Sequence, residues 1–322
     1  MQMCRLLGPA VLGIAAVLVG CGDDAGPVDS GMQGPDDDLP ALQFGPDISL
    51  DDAQLIDLAT AMAADFSCLG TLTQPAPGAV ISFNMTVKDF QEDNPVPDVC
   101  IKFYADDVVP ATDTCNPASD LVTDVDGVVT VMDAARSWYA YRIFPQMGPT
   151  PATTIVGSVQ YNEASPSDAS GQVDGNSVSQ ATINLIPTVL GFRREAGTAV
   201  VAGTINDCGD EPVYGARVQL YAASGEPIAE GRLGSEPHYK YFDGDDFPNS
   251  TQPWSHRDGL FVIANLRVPA DGTPFFMELR GRLTEGGEVQ VLGCEQGTLF
   301  ADTVTILNVG PTRSDGPACP NL

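Results

Sequence analysis

Residues 199–221 read AVVAGTINDCGDEPVYGARVQLY, and the tetrapeptide Asp-Gly-Leu-Phe follows at 258–261. Both ends of the first stretch are rich in apolar and β-branched residues, and the polar segment between them contains the Gly, Asp and Pro of a turn. Asp-Gly directly before an apolar run is typical of a tight turn that starts a strand. Strand signals of this kind, separated by turn signals that recur every 8 to 15 residues along the chain, predict a β-sandwich.

A looser copy of this order lies upstream. Residues 80–87 alternate like a strand, a turn at 95–98 leads into residues 99–104, and Asp126-Gly127 precedes the apolar run 128–131. The chain has 33 Gly, 26 Pro and 7% aromatic residues, which favours short strands joined by many turns. We predict an all-β protein with two tandem Ig-like or transthyretin-like β-sandwiches, at 68–192 and 193–322.

Two short helices complete the predicted plan. Ser49 is placed as an N-cap with acidic residues after it, and apolar side chains from Leu55 to Phe66 share one helical face, which predicts an amphipathic helix within 46–67. Val178, Ala181, Leu185 and Val189 also have helical spacing, so that 177–190 is predicted to be a short interdomain helix. A last strand of the first sandwich is the alternative for this second segment.

At these residues the chain resembles the carboxypeptidase regulatory-like, or transthyretin-like, domain family. The resemblance is carried by 203–221 and 258–266, whereas the first sandwich lacks the Gly-Ala pair and the Phe after its Asp-Gly. The resemblance implies a seven-stranded sandwich that serves as an accessory, adhesive or spacer unit.

The N-terminus predicts export. Arg5 precedes an apolar run of fourteen residues, 6–19, which is too short to span a bilayer as a helix and is typical of a signal peptide over 1–20. Leu18-Val19-Gly20-Cys21 resembles the lipobox of bacterial lipoproteins, and this resemblance implies that Cys21 carries the lipid that anchors the mature chain.

The segment after Cys21 extends this interpretation. Residues 21–45 are rich in Asp, Gly and Pro and contain no Lys or Arg, which predicts a disordered acidic tether. Gly22 follows the anchor Cys where inner-membrane lipoproteins of enterobacteria have Asp, and it favours the outer membrane of the bacterial cell envelope. The overall plan resembles uncharacterised lipoproteins of myxobacterial type.

Six cysteines remain after the signal peptide and the anchor are set aside, and an even number in an exported chain predicts three disulfides. The six permit 15 pairings. Keeping the bridges local to each sandwich favours Cys100–Cys115 and Cys208–Cys294, and leaves Cys68–Cys319 to join the two ends. The sequence contains no C-x-x-C pair, which argues against a metal site.

Composition and motifs disfavour several functions. The formal net charge of −28 repels phosphate backbones, so nucleic acid is not an expected partner. His238 and His256 form no His-x-x-Glu zinc pair, and 175–179 lacks the last Gly of a G-x-S-x-G elbow. Intradiol dioxygenases are similar in their sandwich scheme and hold iron with two Tyr and two His, but here no His follows the turn at 269–272. We expect no enzymatic activity and no cofactor.

Two sets of residues are candidates for binding. The carboxylates of Asp243, Asp245 and Asp246, like those of Asp124 and Asp126, could hold Ca²⁺, although Asp and Gly are also the residues that tight turns favour. Tyr239, Tyr241 and Trp254 belong to the long insertion 223–257 and could stack on sugars, or their rings could fold back and cover the sheet.

The sequence thus predicts an envelope lipoprotein, bound to the membrane through its lipid, that acts as a non-enzymatic spacer, adhesive or protein-binding module. A glycan-binding lipoprotein that uses the 223–257 insertion is the alternative.

Overall fold

The computed structural model describes residues 64–105, 108–229, 237–269, 272–284 and 287–320. The predicted signal peptide, Cys21, the acidic tether and most of the predicted 46–67 helix lie outside these residues, and the last part of that helix, 64–67, is not helical. The described residues form fifteen strands and one helix. In chain order these are β1 Val80–Asp89, β2 Cys100–Tyr104, β3 Leu121–Val122, β4 Val128–Ala134, β5 Trp138–Ile143, β6 Ile155–Ala164, β7 Gln172–Ser179, α1 Gln180–Val189, β8 Thr198–Thr204, β9 Arg217–Ala222, β10 His238–Phe242, β11 Pro248–Asn249, β12 Leu260–Arg267, β13 Thr273–Gly281, β14 Gln290–Leu299 and β15 Thr303–Ile306.

The all-β prediction is confirmed. Helix α1 has ten residues, and no helix in the described part of the chain is long and apolar enough to cross a membrane. The first half of the described fold comprises β1 to β7. Here β1 pairs with β4 and β7, while β2 pairs with β3 and β5, and β5 pairs with β6. Alternate side chains of these two groups of strands meet in one buried cluster that includes Phe83, Met85, Tyr139 and Tyr141.

The second half, which comprises β8 to β15, repeats this layered arrangement. One group of strands has the order β11-β10-β12-β8-β15, and the other has the order β14-β13-β9. Their facing side chains form the largest buried cluster, with Val201, Phe261, Ile263 and Phe275 among its members.

The internal repeat extends to individual backbone hydrogen bonds. In the first half the amide of Val87 donates to Gly127 O, and the amide of Val96 donates to Val87 O. In the second half Ile205 takes the place of Val87, because its amide donates to Gly259 O and it accepts from the amide of Val213. The Pro-Val and Asp-Gly turns, each present twice in the sequence, therefore make equivalent backbone hydrogen bonds to the first strand of each half.

The two halves are joined through one sheet. Strand β15 pairs in parallel with β8 on one side and with β6 of the first half on the other, with Thr303 opposite Gly157 and Ile306 opposite Gln160. The result is a twelve-stranded sheet that runs through both predicted sandwiches. The predicted boundary at 192/193 falls between α1 and β8.

The segment 177–190 contains both structures that the sequence allowed. Strand β7 ends at Ser179, whose side-chain oxygen accepts from the amide of Thr182 and caps helix α1. Ile183 and Leu190 then pack on the face of the sheet that is opposite the main core, against Val200 and Val262. Both faces of β8 are therefore covered, which explains its continuous apolar sequence.

We expect Gly259→Ala to destabilise the fold more than Gly191→Ala does. Both glycines have positive φ, +65° and +83°, so both substitutions incur the left-handed penalty of about 1–2 kcal/mol. A Cβ at Gly259 would lie 2.5 Å from Ile205 O, whereas a Cβ at Gly191 would meet nothing within 4 Å. Denaturant unfolding measures both losses, and equal losses would show that close approach at the Asp-Gly turn is unimportant.

Candidate functional site

All six predicted cysteines of the described chain form disulfides, and Cys100–Cys115 is confirmed. The other two predicted pairings are wrong. The structure has Cys68–Cys208 and Cys294–Cys319 in place of Cys208–Cys294 and Cys68–Cys319.

Backbone contacts explain the observed pairing. The segment before Cys68 lies against the turn after β8, because the amide of Cys208 donates to Asp65 O at 2.8 Å and the amide of Asp65 donates to Asp207 Oδ2 at 2.7 Å. Cys294 lies on β14. The C-terminal segment runs along the edge of this strand, where the amide of Thr312 donates to Leu292 O. Each terminal segment is thus fastened to the second half by its own bridge.

The three aromatic residues predicted to bind sugar are in the core. Tyr239, Tyr241 and Trp254 are 8%, 2% and 2% exposed. The Tyr239 hydroxyl donates to Ile228 O at 2.5 Å, and the Tyr241 hydroxyl accepts from the amide of Val218 at 3.1 Å. Rings in these positions cannot stack on a sugar, so the alternative interpretation describes them correctly: they fold back and cover the sheet.

The predicted calcium residues form turns. Asp243 Oδ1 accepts from the amides of Asp245 and Phe247, and Asp124 Oδ1 accepts in the same way from the amides of Asp126 and Val128. Among the described residues, no group of three or more His, Cys, Asp and Glu side chains is arranged to hold a metal ion. Turn formation accounts for these carboxylates, and calcium binding at Asp243, Asp245 and Asp246 stays a prediction.

Side chains that could take part in chemistry are engaged in packing. The His238 ring stacks on Phe192 at 4.1 Å between centroids, and the His256 ring contacts Tyr214 edge-on at 5.1 Å. Ser177, in the incomplete G-x-S-x-G sequence, lies within β7 and donates its hydroxyl to Lys88 O.

One carboxyl titrates near neutral pH. Burial raises the pKa of Asp258 to about 7, the hydrogen bond from the Leu260 amide partly opposes this rise, and the carboxylates of Asp246 and Asp243 add to it. Asp258 belongs to the second Asp-Gly turn, where its Oδ1 accepts from Leu260 at 3.0 Å.

The junction of the two halves is the most elaborate polar site of the described chain. Two cation–π contacts cross it from strand β5. The Arg142 guanidinium lies 3.8 Å from the ring centre of Phe300, which follows β14, and the Arg313 guanidinium lies 3.7 Å from the ring centre of Trp138. Each half therefore contributes one cation and one ring to the other, and such contacts are strongest when desolvated.

A buried ion pair reinforces these contacts. Arg313 Nη2 lies 3.6 Å from Glu295 Oε2, and the two side chains are 12% and 8% exposed. Asn162 of β6 donates to the same carboxylate at 2.8 Å, so that residues of both halves hold Glu295. The main core also crosses the junction, because Val159 and Tyr161 of β6 belong to the same cluster as the second half.

A cavity of about 250 Å³ opens beside this pair. Its walls come from both halves and include Val109, Asn162, Glu295 and Arg313. The one carboxylate and the one guanidinium in the walls face each other, so their charges offset each other. The arrangement is suited to bracing the junction.

The roles of Arg142, Trp138 and Arg313 were not predicted from the sequence. Trp138 and Arg142 lie together on β5, but their partners Arg313 and Phe300 are far away in the chain, and the residues match no motif. The sequence carries a weak signal for Arg142, which is the charged residue of the otherwise apolar run 138–144. A charge at such a position indicates that the strand packs against a group that binds cations, such as an aromatic ring or a carboxylate.

Comparisons with known proteins identify no family. No family model matches the chain, and no curated protein matches it. Among solved structures, the chain is similar to the shaft pilin SpaA from Lactobacillus rhamnosus GG, with 13% identity over 73% of this chain and 98% of that one and a TM-score of 0.23. It is also similar to a Streptococcus pyogenes major pilin mutant, with 11% identity over 73% and 99% of the two chains and a TM-score of 0.19.

A third similarity is to the Bacillus anthracis TIE protein, with 8% identity over 72% of this chain and a TM-score of 0.19. The chain spans only about a third, 34%, of that protein. TM-scores of this size do not establish a shared fold, and the all-β architecture rests on the strands of the chain itself.

We expect the ion pair at the junction to be energetically coupled. Arg313→Met removes the guanidinium that pairs with the buried Glu295 carboxylate, and breaking a buried pair of this kind costs about 3–5 kcal/mol. Adding Glu295→Gln to Arg313→Met neutralises the carboxylate that has lost this guanidinium, so the double variant is expected to lose at least about 1 kcal/mol less than the two single losses together. Denaturant unfolding of the four chains measures this coupling.

The exposed pair Lys88–Asp174, 3.0 Å apart, is the matched control. Its coupling, measured with Lys88→Met and Asp174→Asn, is expected to stay below about 1 kcal/mol. Additive losses at Arg313 and Glu295 would contradict the proposed brace.

Proposed function

We propose that the chain is an exported cell-envelope protein that acts as a rigid, non-enzymatic spacer or protein-binding module, and that it is held at the membrane by lipid on Cys21. The observation that carries the export half of this proposal is the disulfide set. Every cysteine of the described residues is in a bridge. Bridges of this number persist in oxidising compartments and are rare in the cytosol.

Two of the bridges lie where they protect an exported protein against fraying and proteolysis. Cys68–Cys208 fastens the segment that leads toward the N-terminus, and Cys294–Cys319 fastens the opposite end of the chain. Chain termini are where fraying and proteolysis start. A force applied to the segment before Cys68 would therefore be transmitted through the Cys68–Cys208 bridge to the turn after β8.

The rigid half of the proposal rests on the junction. Parallel pairing of β6 with β15, a common core, two cation–π contacts and the Arg313–Glu295 pair join the two halves. Domains that move independently usually meet through smaller and more polar contacts. A spacer built from these halves would keep the surfaces of the two halves in a fixed arrangement relative to each other.

The anchor is tested with Cys21→Ser. In cells given labelled fatty acid, the wild-type chain is expected in the membrane pellet with label, because two or three acyl chains hold it there. The Cys21→Ser chain is expected in the soluble fraction without label.

Cys4→Ser is the matched control, since Cys4 belongs to the predicted signal peptide, and it is expected to behave like wild type. Label on the Cys21→Ser chain, or its persistence in the pellet, would contradict the anchor. A stoichiometric free thiol at any of the six bridged cysteines would contradict export.

A further inference from the structure

Strand β4 is an open edge. It pairs with β1 alone among the described strands, in seven consecutive residue pairs without a register shift. The hydrogen bonds from Val87 N to Gly127 O and from Ala135 N to Ala79 O set the alternation of this ladder. Odd-numbered residues of β4 therefore bond to β1, and the backbone groups of the even-numbered residues point away from it.

Most of the outward groups have no partner within the described chain. The outward groups of Val128 are taken by Asp124, and Ala134 O accepts from Ser137 and Ser165. The N–H and C=O of Thr130 and Met132 have no described partner. Thr130 is exposed, and Met132 is 70% exposed.

Proteins normally protect such an edge with Lys, Pro, a bulge or an inward-pointing charged residue. Strand β4 has no Lys, Pro or bulge. Its one charged residue, Asp133, points inward, where it accepts from the Ser137 hydroxyl. The two residues whose outward backbone groups are open, Thr130 and Met132, are uncharged and exposed, so this part of the edge can accept another strand.

The internal repeat shows what can occupy this position. Gly127 and Gly259 make equivalent bonds, so β12 in the second half corresponds to β4. The edge of β12 that corresponds to the open edge of β4 is covered by β10, which runs antiparallel to it with Lys240 opposite Val262 and His238 opposite Ala264. Counted from the equivalent glycines Gly127 and Gly259, Val262 and Ala264 occupy the positions of Thr130 and Met132. The first half has the position, and no strand among the described residues fills it.

We propose that a second copy of this chain fills the position, so that two β4 strands pair antiparallel about a two-fold axis at Val131. Thr130 of each copy would lie opposite Met132 of the other, and the outward backbone groups of both residues would bond across the axis. In this register the turn before β4 that holds Asp126 approaches the turn after β4 of the other copy, which holds Arg136.

The charges at the two ends of β4 favour this register. Asp126 and Arg136 are both exposed, and neither side chain has an ion-pair partner among the described residues. Only 15 of the 322 residues are Lys or Arg, against 43 Asp and Glu, so an unpaired Arg is notable in this chain. Antiparallel pairing brings the turn with Asp126 of each copy near the turn with Arg136 of the other, so that opposite charges meet at both ends of the pair. Parallel pairing would bring the two Asp126 turns together.

The proposal is tested by sedimentation equilibrium of the full chain in non-ionic detergent, which is independent of whether Cys21 carries lipid. The wild-type chain is expected to be a dimer. Thr130→Lys with Met132→Lys puts like charges directly opposite one another and is expected to raise the dimer Kd at least about tenfold. Val80→Lys with Ser82→Lys adds the same charge to exposed positions of β1 on the same sheet, away from the edge, and is expected not to weaken the dimer.

A charge swap tests the register. Asp126→Arg and Arg136→Asp each bring like charges together and are expected to weaken the dimer, whereas the chain with both substitutions regains opposite charges at both ends in reverse and is expected to recover wild-type affinity. A wild-type chain that stays monomeric at about 100 µM, far above the Kd of a specific dimer, overturns the proposal. Insensitivity to the Lys pair at 130 and 132, or failure of the double swap to restore association, also overturns it.

Discussion

The parallel pairing of β15 between β8 and β6 is the constraint on which the rest of the structure depends. It commits the last strand of the second half to the first half as well, and it joins strands of both sandwiches into one twelve-stranded sheet, while β14-β13-β9 stays a separate sheet. The contact leaves little room, since a Cβ at Gly157 would lie 2.9 Å from Thr303 Oγ1. Because β15 is held on both edges, β6 brings Val159 and Tyr161 into the main core, and strand β5 comes close enough for its Arg142 to reach Phe300.

The two halves share a plan and differ in how they complete it. In both, one residue near the end of the first strand makes two bonds: its amide donates to the Gly of the Asp-Gly turn, and its carbonyl accepts from the Val of the Pro-Val turn. In the second half, β10 from the long insertion covers one edge of the sheet, and α1, which precedes β8, covers an outer face. No described strand covers the corresponding edge of the first half, where β4 remains open. Surfaces for partners are therefore expected on the first half, while the second half receives the bridges that hold both terminal segments.

Local signals predicted the local structure. The strands within 199–221, the Asp-Gly turns, the bridge Cys100–Cys115 and the helix that follows Ser179 all depend on residues close together in the chain. The β6–β15 pairing joins residues nearly 150 positions apart, and no periodicity indicates which strand will become a neighbour. The Cys68–Cys208 bridge spans 140 residues and is unpredictable for the same reason, and assigning Cys319 to Cys68 also separates Cys294 from Cys319, which is only 25 residues away. Tyr239 and Trp254 were misplaced because an aromatic residue in an insertion looks the same whether it faces water or covers a sheet.

If one sheet and one core join both halves, they cannot unfold separately. Differential scanning calorimetry of the oxidised chain tests this most directly, since two-state unfolding requires equal calorimetric and van't Hoff enthalpies. The account predicts a single transition in which the two enthalpies agree. Two resolved transitions, or a calorimetric enthalpy about twice the van't Hoff value, would mean that the halves fold independently and that the β6–β15 pairing does not hold them together.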